Sequence, residues 1–249
     1  MNKTKQKLKN KEAALGGWML IPHPAVAELM AGEGFDWIAL DMEHAAVDLA
    51  VVEQIERAVR PSGCDLLVRL DDVNPVLAKH VLDAGARGVI VPNVMSADDV
   101  DLMVAAVRYP PQGNRGTSLS RALDYGRNFT DYIRRHNDEV FVAVMLEHKL
   151  AAERADEILA RPGIDAAFIG PYDLSASLGI AGQLDDPRVL AAERKILAAC
   201  SRHGVAPGYH VVAPERRRID ERIAAGYRFI GCSLDTHFIM QGCRDMLRK

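Results

Sequence analysis

The sequence predicts an α/β protein whose eight parallel strands close into a single (β/α)8 barrel of the TIM type. Three observations lead there. Short apolar runs alternate with amphipathic helical stretches along the whole chain, the pattern of a parallel sheet with crossover helices. The length, 249 residues with no break in composition, suits one barrel domain over residues 1–249. Several apolar runs are followed at once by one charged or hydrogen-bonding residue, which is how a barrel assembles a site from the carboxyl ends of different strands.

The elements follow in order. Residues 1–12 carry Lys3, Lys5, Lys7, Lys9 and Lys11 with no apolar segment of signal-peptide type behind them, and are expected to form a frayed, basic lead-in helix. Strands are expected at 15–21, 36–42, 65–70, 88–92, 140–146, 166–170, 205–210 and 229–233. Helices are expected between them at 25–32, 49–59, 76–84, 97–107, 151–160, 191–203 and 215–225, with a last one at 236–247. Gly34, Gly85, Gly204 and Gly226 stand where helices should stop and feed the next strand. The rival architecture, a doubly wound open sheet, would want a glycine-rich phosphate turn after its first strand; Pro22-His23-Pro24 stands there instead, and the chain has no GxGxxG or Walker motif. One connection is long. Residues 108–139 begin with Arg108-Tyr109-Pro110-Pro111-Gln112-Gly113-Asn114-Arg115-Gly116, whose part from Pro110 on cannot be helical, and continue into a helix-like stretch at 129–137. A loop of this length in a compact domain usually serves function, so the insertion is expected at the barrel mouth.

Composition narrows the partners. Hydrophobic residues make up 49% and charged ones 26%, ordinary for a globular domain, and the net charge of −3 is not tuned to nucleic acid or a membrane surface. The apolar runs are too short to span a bilayer. Cys64, Cys200, Cys232 and Cys243 lack zinc or CxxC spacing, so reduced thiols in a cytoplasmic protein are expected.

The chemistry sits at the strand ends. The second strand delivers Asp41, Glu43 and His44, the third Arg69, the fifth Glu147 and the sixth Asp173. Glu147 and Asp173 come from neighbouring strands, so their carboxylates can meet over one divalent cation whose other positions go to water and substrate. Equally, each can cap the helix that follows it. A carboxylate on His44, supplied by Asp41, would fix the imidazole tautomer and leave a base near neutral pH; otherwise His44 is a surface loop residue. Arg69 can grip a carboxylate or a developing oxyanion, or form an ion pair with Asp71, Asp72 or Glu43. His23 and His210 also stand at strand ends, where they could line the mouth, and no lysine does.

These residues resemble the HpcH/HpaI family of class II pyruvate aldolases. The resemblance is carried by Leu40-Asp41-Met42-Glu43-His44, Val68-Arg69, Gly85-Ala86-Arg87-Gly88-Val89-Ile90-Val91-Pro92, the Tyr109 to Gly116 phrase, Leu146-Glu147 and Phe168-Ile169-Gly170-Pro171-Tyr172-Asp173-Leu174. They occur in family order over roughly residues 12 to 245. The resemblance implies a barrel of the phosphoenolpyruvate/pyruvate type with its last helix swapped onto a neighbouring subunit, in a homo-oligomer, commonly a hexamer built as a trimer of dimers. It implies a lyase that reversibly cleaves a 4-hydroxy-2-oxo acid to pyruvate and an aldehyde through an enolate on a divalent metal, Mg²⁺ or Mn²⁺, with Co²⁺ also suitable. Glu147 and Asp173 would hold the metal. Arg69 would stabilise the enolate oxygen, the backbone around Gly170, Tyr172 and Asp173 would hold the substrate carboxylate, and the His44–Asp41 pair would move protons at the aldehyde oxygen. Trp18 would line the pocket, and Asp83 would reach a neighbouring subunit's site. Relatives with the same chemistry decarboxylate oxaloacetate or condense it to citrate, and a non-catalytic metabolite-binding barrel is the third reading. Two positions depart from the family pattern. Met145 stands where Gln is usual two residues before the metal Glu, and Tyr172 is larger than the usual residue. An apolar thioether cannot donate the hydrogen bonds of an amide, so the pyruvyl sub-site is expected to survive and the aldehyde sub-site to differ.

Overall fold

The computed structural model describes residues 2–247. Strands β1 (Ala14–Met19), β2 (Trp37–Asp41), β3 (Asp65–Arg69), β4 (Gly88–Val91), β5 (Phe141–Leu146), β6 (Ala166–Ile169), β7 (Ala206–Val211) and β8 (Phe229–Leu234) pair in parallel in sequence order, and β8 returns to β1 to close the barrel. Every expected strand is present, its ends shifted by one or two residues at most.

Twelve α-helices surround or cap this barrel among the described residues: α1 (Lys3–Lys9), α2 (Pro24–Gly32), α3 (Leu49–Val59), α4 (Pro75–Asp83), α5 (Ala97–Val107), α6 (Phe129–Glu139), α7 (Lys149–Glu153), α8 (Ala155–Leu159), α9 (Pro171–Ser177), α10 (Pro187–His203), α11 (Arg216–Ala224) and α12 (Asp235–Leu247). Gly34, Gly85, Gly204 and Gly226 all take positive φ after helix ends, the conformation that a side chain disfavours. The stretch expected as one helix at 151–160 is two, broken at Arg154, and the short α9 follows β6 directly.

Alternate residues of each strand point to opposite faces, which splits the apolar residues into two layers. Outward residues such as Ile38, Val68, Val89 and Val144 pack under the helices. Inward residues, among them Trp18, Trp37, Leu67, Phe141, Phe168 and Phe229, fill the barrel with interlocked rings; Trp37 and Phe229 lie 4.4 Å apart, centroid to centroid. The interior is therefore a packed core, and only its upper layer can host chemistry.

The N-terminal segment is not frayed. Helix α1 plugs the end of the barrel where strands begin. Thr4 donates its amide (2.7 Å) and hydroxyl (2.9 Å) to Asp65, and Lys5 Nζ reaches the Val140 carbonyl (2.8 Å) and Asp165 (3.1 Å). Lys3 and Lys7 both pair with Asp36. The lysines face the acids that precede β2 and β6, and Thr4 holds the acid that starts β3, a pairing that local pattern does not reveal.

The 108–139 insertion likewise lies away from its expected place. It joins α5 to β5, and barrel helices return the chain to the end opposite the mouth. Its anchors are there: Arg108 donates to the Gly163 carbonyl ahead of β6 (3.0 Å), Arg115 pairs with Asp83 at the end of α4 (2.6 Å), and Arg121 pairs with Glu56 near the end of α3. Tyr109 and Asn137 close the loop on itself with two hydrogen bonds of 2.7 and 2.9 Å. No described helix is long and apolar enough to cross a membrane.

Candidate active site

Asp41 and Arg69 end β2 and β3 as register partners, both turned inward at the mouth. Asp41 is fully buried and tolerates burial because four donors surround it. Its Oδ1 accepts the backbone amides of Glu43 and His44, each at 2.9 Å, and its Oδ2 accepts Trp18 Nε1 (2.9 Å) and an Arg69 terminal nitrogen (3.2 Å). The expected His44–Asp41 imidazole pair is thus replaced by a different bond. Asp41 fixes the backbone of the Glu43–His44 turn, while the His44 side chain is 60% exposed with Nε2 4.0 Å from Glu43. The reason is local: amides two and three residues beyond a carboxylate at a strand end fold back on it readily.

Arg69 bridges Asp41 and Glu43, one terminal nitrogen on each, with its guanidinium carbon 5.8 Å from the Trp18 ring centroid. Of the protein partners weighed for it, Glu43 is realised, whereas Asp71 takes Asn74. The Glu43 carboxyl is pushed above its ordinary range by burial, against the pull of Arg69. The Arg69 Nε is buried without a hydrogen-bond partner.

Glu147 follows β5 directly and is 5% exposed. Its Oε1 accepts the Asn93 amide (2.9 Å), presented by a residue in left-handed backbone (φ 56°) just past β4. Its Oε2 is buried with no partner at all. Burial raises this carboxyl above the usual glutamate range; the Asn93 amide and Arg69 oppose the rise, and Glu43 and Asp173 add to it. Gly170, the N-cap of α9, makes the room: a Cβ there would stand 2.8 Å from both Cβ and Oε2 of Glu147. Asp173 is exposed in the first turn of α9, close enough to raise both Glu43 and Glu147.

The structure therefore gathers Asp41, Arg69, Glu147, Gly170 and Asp173 around one mouth, with His44 on its rim and Trp18 beneath. Tyr172, half-exposed beside them, faces a groove of about 1030 Å³ that it shares with His210. Asp83 is not in this group: it ends α4 at the opposite end of its own barrel, held by Arg115 and Ser118. His23 is a helix cap, its Nδ1 accepting the Ala25 amide at 3.2 Å. One contributor went unassigned at the sequence level: the Asn93 amide had only the Pro92-Asn93 step after a strand as a signal. Of the two strand-end histidines expected to line the mouth, His210 stands there against Trp18, and His23 does not.

A buried carboxylate oxygen without a donor, beside a second carboxylate and a glycine that leaves space, fits a hard divalent cation. Among the described residues no group of three or more His, Cys, Asp or Glu is arranged to hold a metal, and a site built on Glu147 and Asp173 would offer an ion two carboxylates. That pattern, with water and substrate completing the sphere, is usual for Mg²⁺ and Mn²⁺.

Comparison with known proteins identifies the family. Residues 15–241 match the profile of the HpcH/HpaI aldolase/citrate lyase family. The chain is 35% identical over 250 residues to a 4-hydroxy-2-oxo-heptane-1,7-dioate aldolase of Salmonella paratyphi B, spanning 100% of this chain and 94% of that protein. It is 32% identical, with the same coverage, to a 4-hydroxy-2-oxovalerate aldolase of Novosphingobium aromaticivorans. The crystal structure of a family member from Burkholderia cenocepacia superposes with a TM-score of 0.93 at 34% identity, over 99% of this chain and 98% of that one. The fold, the strand-end residues and full-length similarity agree: the chain belongs to the HpcH/HpaI aldolase/citrate lyase family.

Proposed function

We propose that this protein is a divalent-metal-dependent carbon–carbon lyase, a class II aldolase that reversibly splits a 4-hydroxy-2-oxo acid into pyruvate and an aldehyde. One observation carries the reading: an acceptor, Glu147 Oε2, and a donor, Arg69 Nε, are each buried without a partner at one mouth. Orphaned groups of opposite sign in a preorganised site are what a cation and a developing anion would satisfy. Glu147 and Asp173 would hold the metal, Mg²⁺ or Mn²⁺ by preference. When bound, that ion supplies Lewis-acid charge that acidifies the carbon beside a 2-oxo group.

The chain's own residues supply the rest. Arg69 is locked by Asp41 and Glu43, so its positive charge faces the developing enolate oxygen without reorganising. The first-turn amides of Tyr172 and Asp173 can hold the substrate carboxylate; Pro171 has no amide to give. His44, exposed on a turn pinned by Asp41, takes the proton of the C4 hydroxyl as the C3–C4 bond breaks, and the electron pair of that bond passes into the 2-oxo acid. Met145, buried beside Trp18 and Phe168, gives the pocket floor an apolar patch where an amide is usual in the family. The aldehyde side is therefore the part that differs. Helix α12 exposes Ile239, Met240, Met246 and Leu247, which supports burial of that helix against another subunit in a homo-oligomer, the hexamer included. In such an assembly Asp83 would face a neighbour's site.

Purified protein assayed with 4-hydroxy-2-oxo acids of several lengths tests the reading, with pyruvate followed by a coupled NADH assay. Release with Mg²⁺ or Mn²⁺ that a chelator abolishes is expected. Release from oxaloacetate alone would shift the assignment to decarboxylation, citrate formation to the condensing reaction, and metal-insensitive or absent release would refute it.

A further inference from the structure

Arg69 does not have its Asp41 oxygen to itself. Asp41 Oδ2, which takes an Arg69 terminal nitrogen at 3.2 Å, also accepts Trp18 Nε1 at 2.9 Å, and the guanidinium carbon lies 5.8 Å from the Trp18 ring centroid. Backbone amides hold Oδ1, so the indole N–H is the contact from β1 that fixes where Oδ2 stands. A single N–H anchors well only if its ring cannot tilt. This ring is held from several sides: Trp37 meets it edge-on at 6.2 Å, Phe168 leans on it at 5.4 Å, and His210 stacks on it at 5.1 Å with planes 23° apart.

An irregularity in β8 seats His210. Gly16 pairs with Gly231 and Trp18 with Leu234, so two steps along β1 are matched by three along β8. The extra residue falls where Ser233, fully buried, takes left-handed backbone (φ 64°), a conformation unfavourable for a residue with a Cβ. Ser233 Oγ secures the kink by donating to the Val212 carbonyl (2.7 Å). The Ser233 carbonyl lies 3.2 Å from His210 Nε2; a carbonyl only accepts, so Nε2 carries the proton. Gly231, the register partner of His210, leaves room for the ring: a Cβ there would sit 3.0 Å from Cδ2. Strained bulges at barrel rims persist where they aim a side chain. This one aims His210, and the face of His210 bears on Trp18.

We infer that Trp18 and His210 are positioning residues for Arg69. His210, seated by Ser233, braces the indole; the indole N–H pins Asp41 Oδ2; and Asp41 sets the orientation of the guanidinium. The inference rests on the lyase reading, in which Arg69 faces the developing enolate oxygen and serves best when its charge is already aimed. Glu43 holds the other terminal nitrogen of Arg69, so an Asp41 released by Trp18 would let the guanidinium settle toward Glu43.

Two variants break the chain at different links. Trp18→Phe keeps a ring against His210 and Phe168 but removes the N–H, and His210→Leu removes the brace but keeps the N–H. In each, exchange of pyruvate's methyl protons in D₂O with Mn²⁺ should fall about tenfold or more in kcat, with KM for pyruvate and the affinity for Mn²⁺ unchanged. An equilibrium measurement isolates the route through Arg69. Oxalate, a planar dianion shaped like the enolate of pyruvate, should bind Mn²⁺-loaded Trp18→Phe about tenfold more weakly than wild type by calorimetry, yet adding Trp18→Phe to Arg69→Ala should weaken it no further. Unchanged kcat in both variants, a loss that lies in KM instead, or an oxalate effect of Trp18→Phe as large in Arg69→Ala as in wild type would overturn the inference. Failure of the lyase reading shows separately, as wild type that exchanges no methyl protons with Mg²⁺ or Mn²⁺, and would remove the inference with it.

Discussion

Replacing Glu147 by Gln separates the cost of the site from its use. The amide keeps an acceptor for the Asn93 amide and fits beside Gly170, so packing is conserved. What is lost is the negative charge on an oxygen that is buried without a partner. Because burial raises the Glu147 carboxyl, the folded protein binds its proton to higher pH than the unfolded chain does. Its contribution to stability is therefore full below the ordinary glutamate range and is lost as pH rises through the raised value. In metal-free protein the variant should match wild type in acid and exceed it at neutral pH by about 1–3 kcal/mol, the penalty for an unsatisfied buried group. In a chain of this length that is roughly 2–6 °C in Tm. Divalent ion reverses the order. At about a hundred times its Kd it should add about 2.7 kcal/mol to wild type and nothing to the variant. Thermal unfolding at acid and neutral pH, with chelator and with Mn²⁺, reads both effects. Equal Tm values for the two proteins in chelator at neutral pH, or a metal shift surviving in Glu147→Gln, would refute the reasoning.

Other substitutions test the remaining supports. Gly170→Ala places a Cβ against the Glu147 carboxylate and should weaken Mn²⁺ binding at least about tenfold at a stability cost of about 1–3 kcal/mol, measured by calorimetry and unfolding; unchanged affinity would deny the cradle. Arg69→Ala should lower kcat by about 10²–10³-fold, and Arg69→Lys should recover little, since a point charge cannot bridge Asp41 and Glu43 at once; near-full activity of the Lys variant would count against the bridging role. Lys5→Ala should destabilise the protein by about 3–5 kcal/mol because Asp165 is left buried and unpaired, and a loss below about 1 kcal/mol would show that α1 is an appendage rather than a plug.

The strands and the mouth were legible because parallel barrels obey simple geometry. Each apolar run is a strand, and every strand's carboxyl end opens on the same side, so Asp41, Arg69, Glu147 and Asp173 could be gathered from sequence positions alone. The positive-φ glycines fixed the helix ends for the same reason: local backbone sterics. What escaped was set by distant partners. The lysines of α1 look solvated until folding brings Asp36 and Asp165 beneath them. The 108–139 segment has the composition of an active-site loop, yet its Arg108, Arg115 and Arg121 anchors tie it to the other end. His44 and Asp41 have the spacing of an acid–base pair, but the carboxylate is claimed by two backbone amides, Trp18 and Arg69. His210 was marked by its strand-end position, but its seat against Ser233 and Trp18 is set by the strands that follow β7 around the barrel.

The most direct test of the central claim is the exchange of pyruvate's methyl protons with D₂O, followed by proton NMR without any aldehyde. If Glu147, just past β5, and Asp173 on α9 hold a divalent ion beside Arg69, wild type should exchange with Mg²⁺ or Mn²⁺ and not with chelator, and Glu147→Gln should not exchange under either condition. Exchange that persists in chelator, or in the variant with metal, would contradict the account.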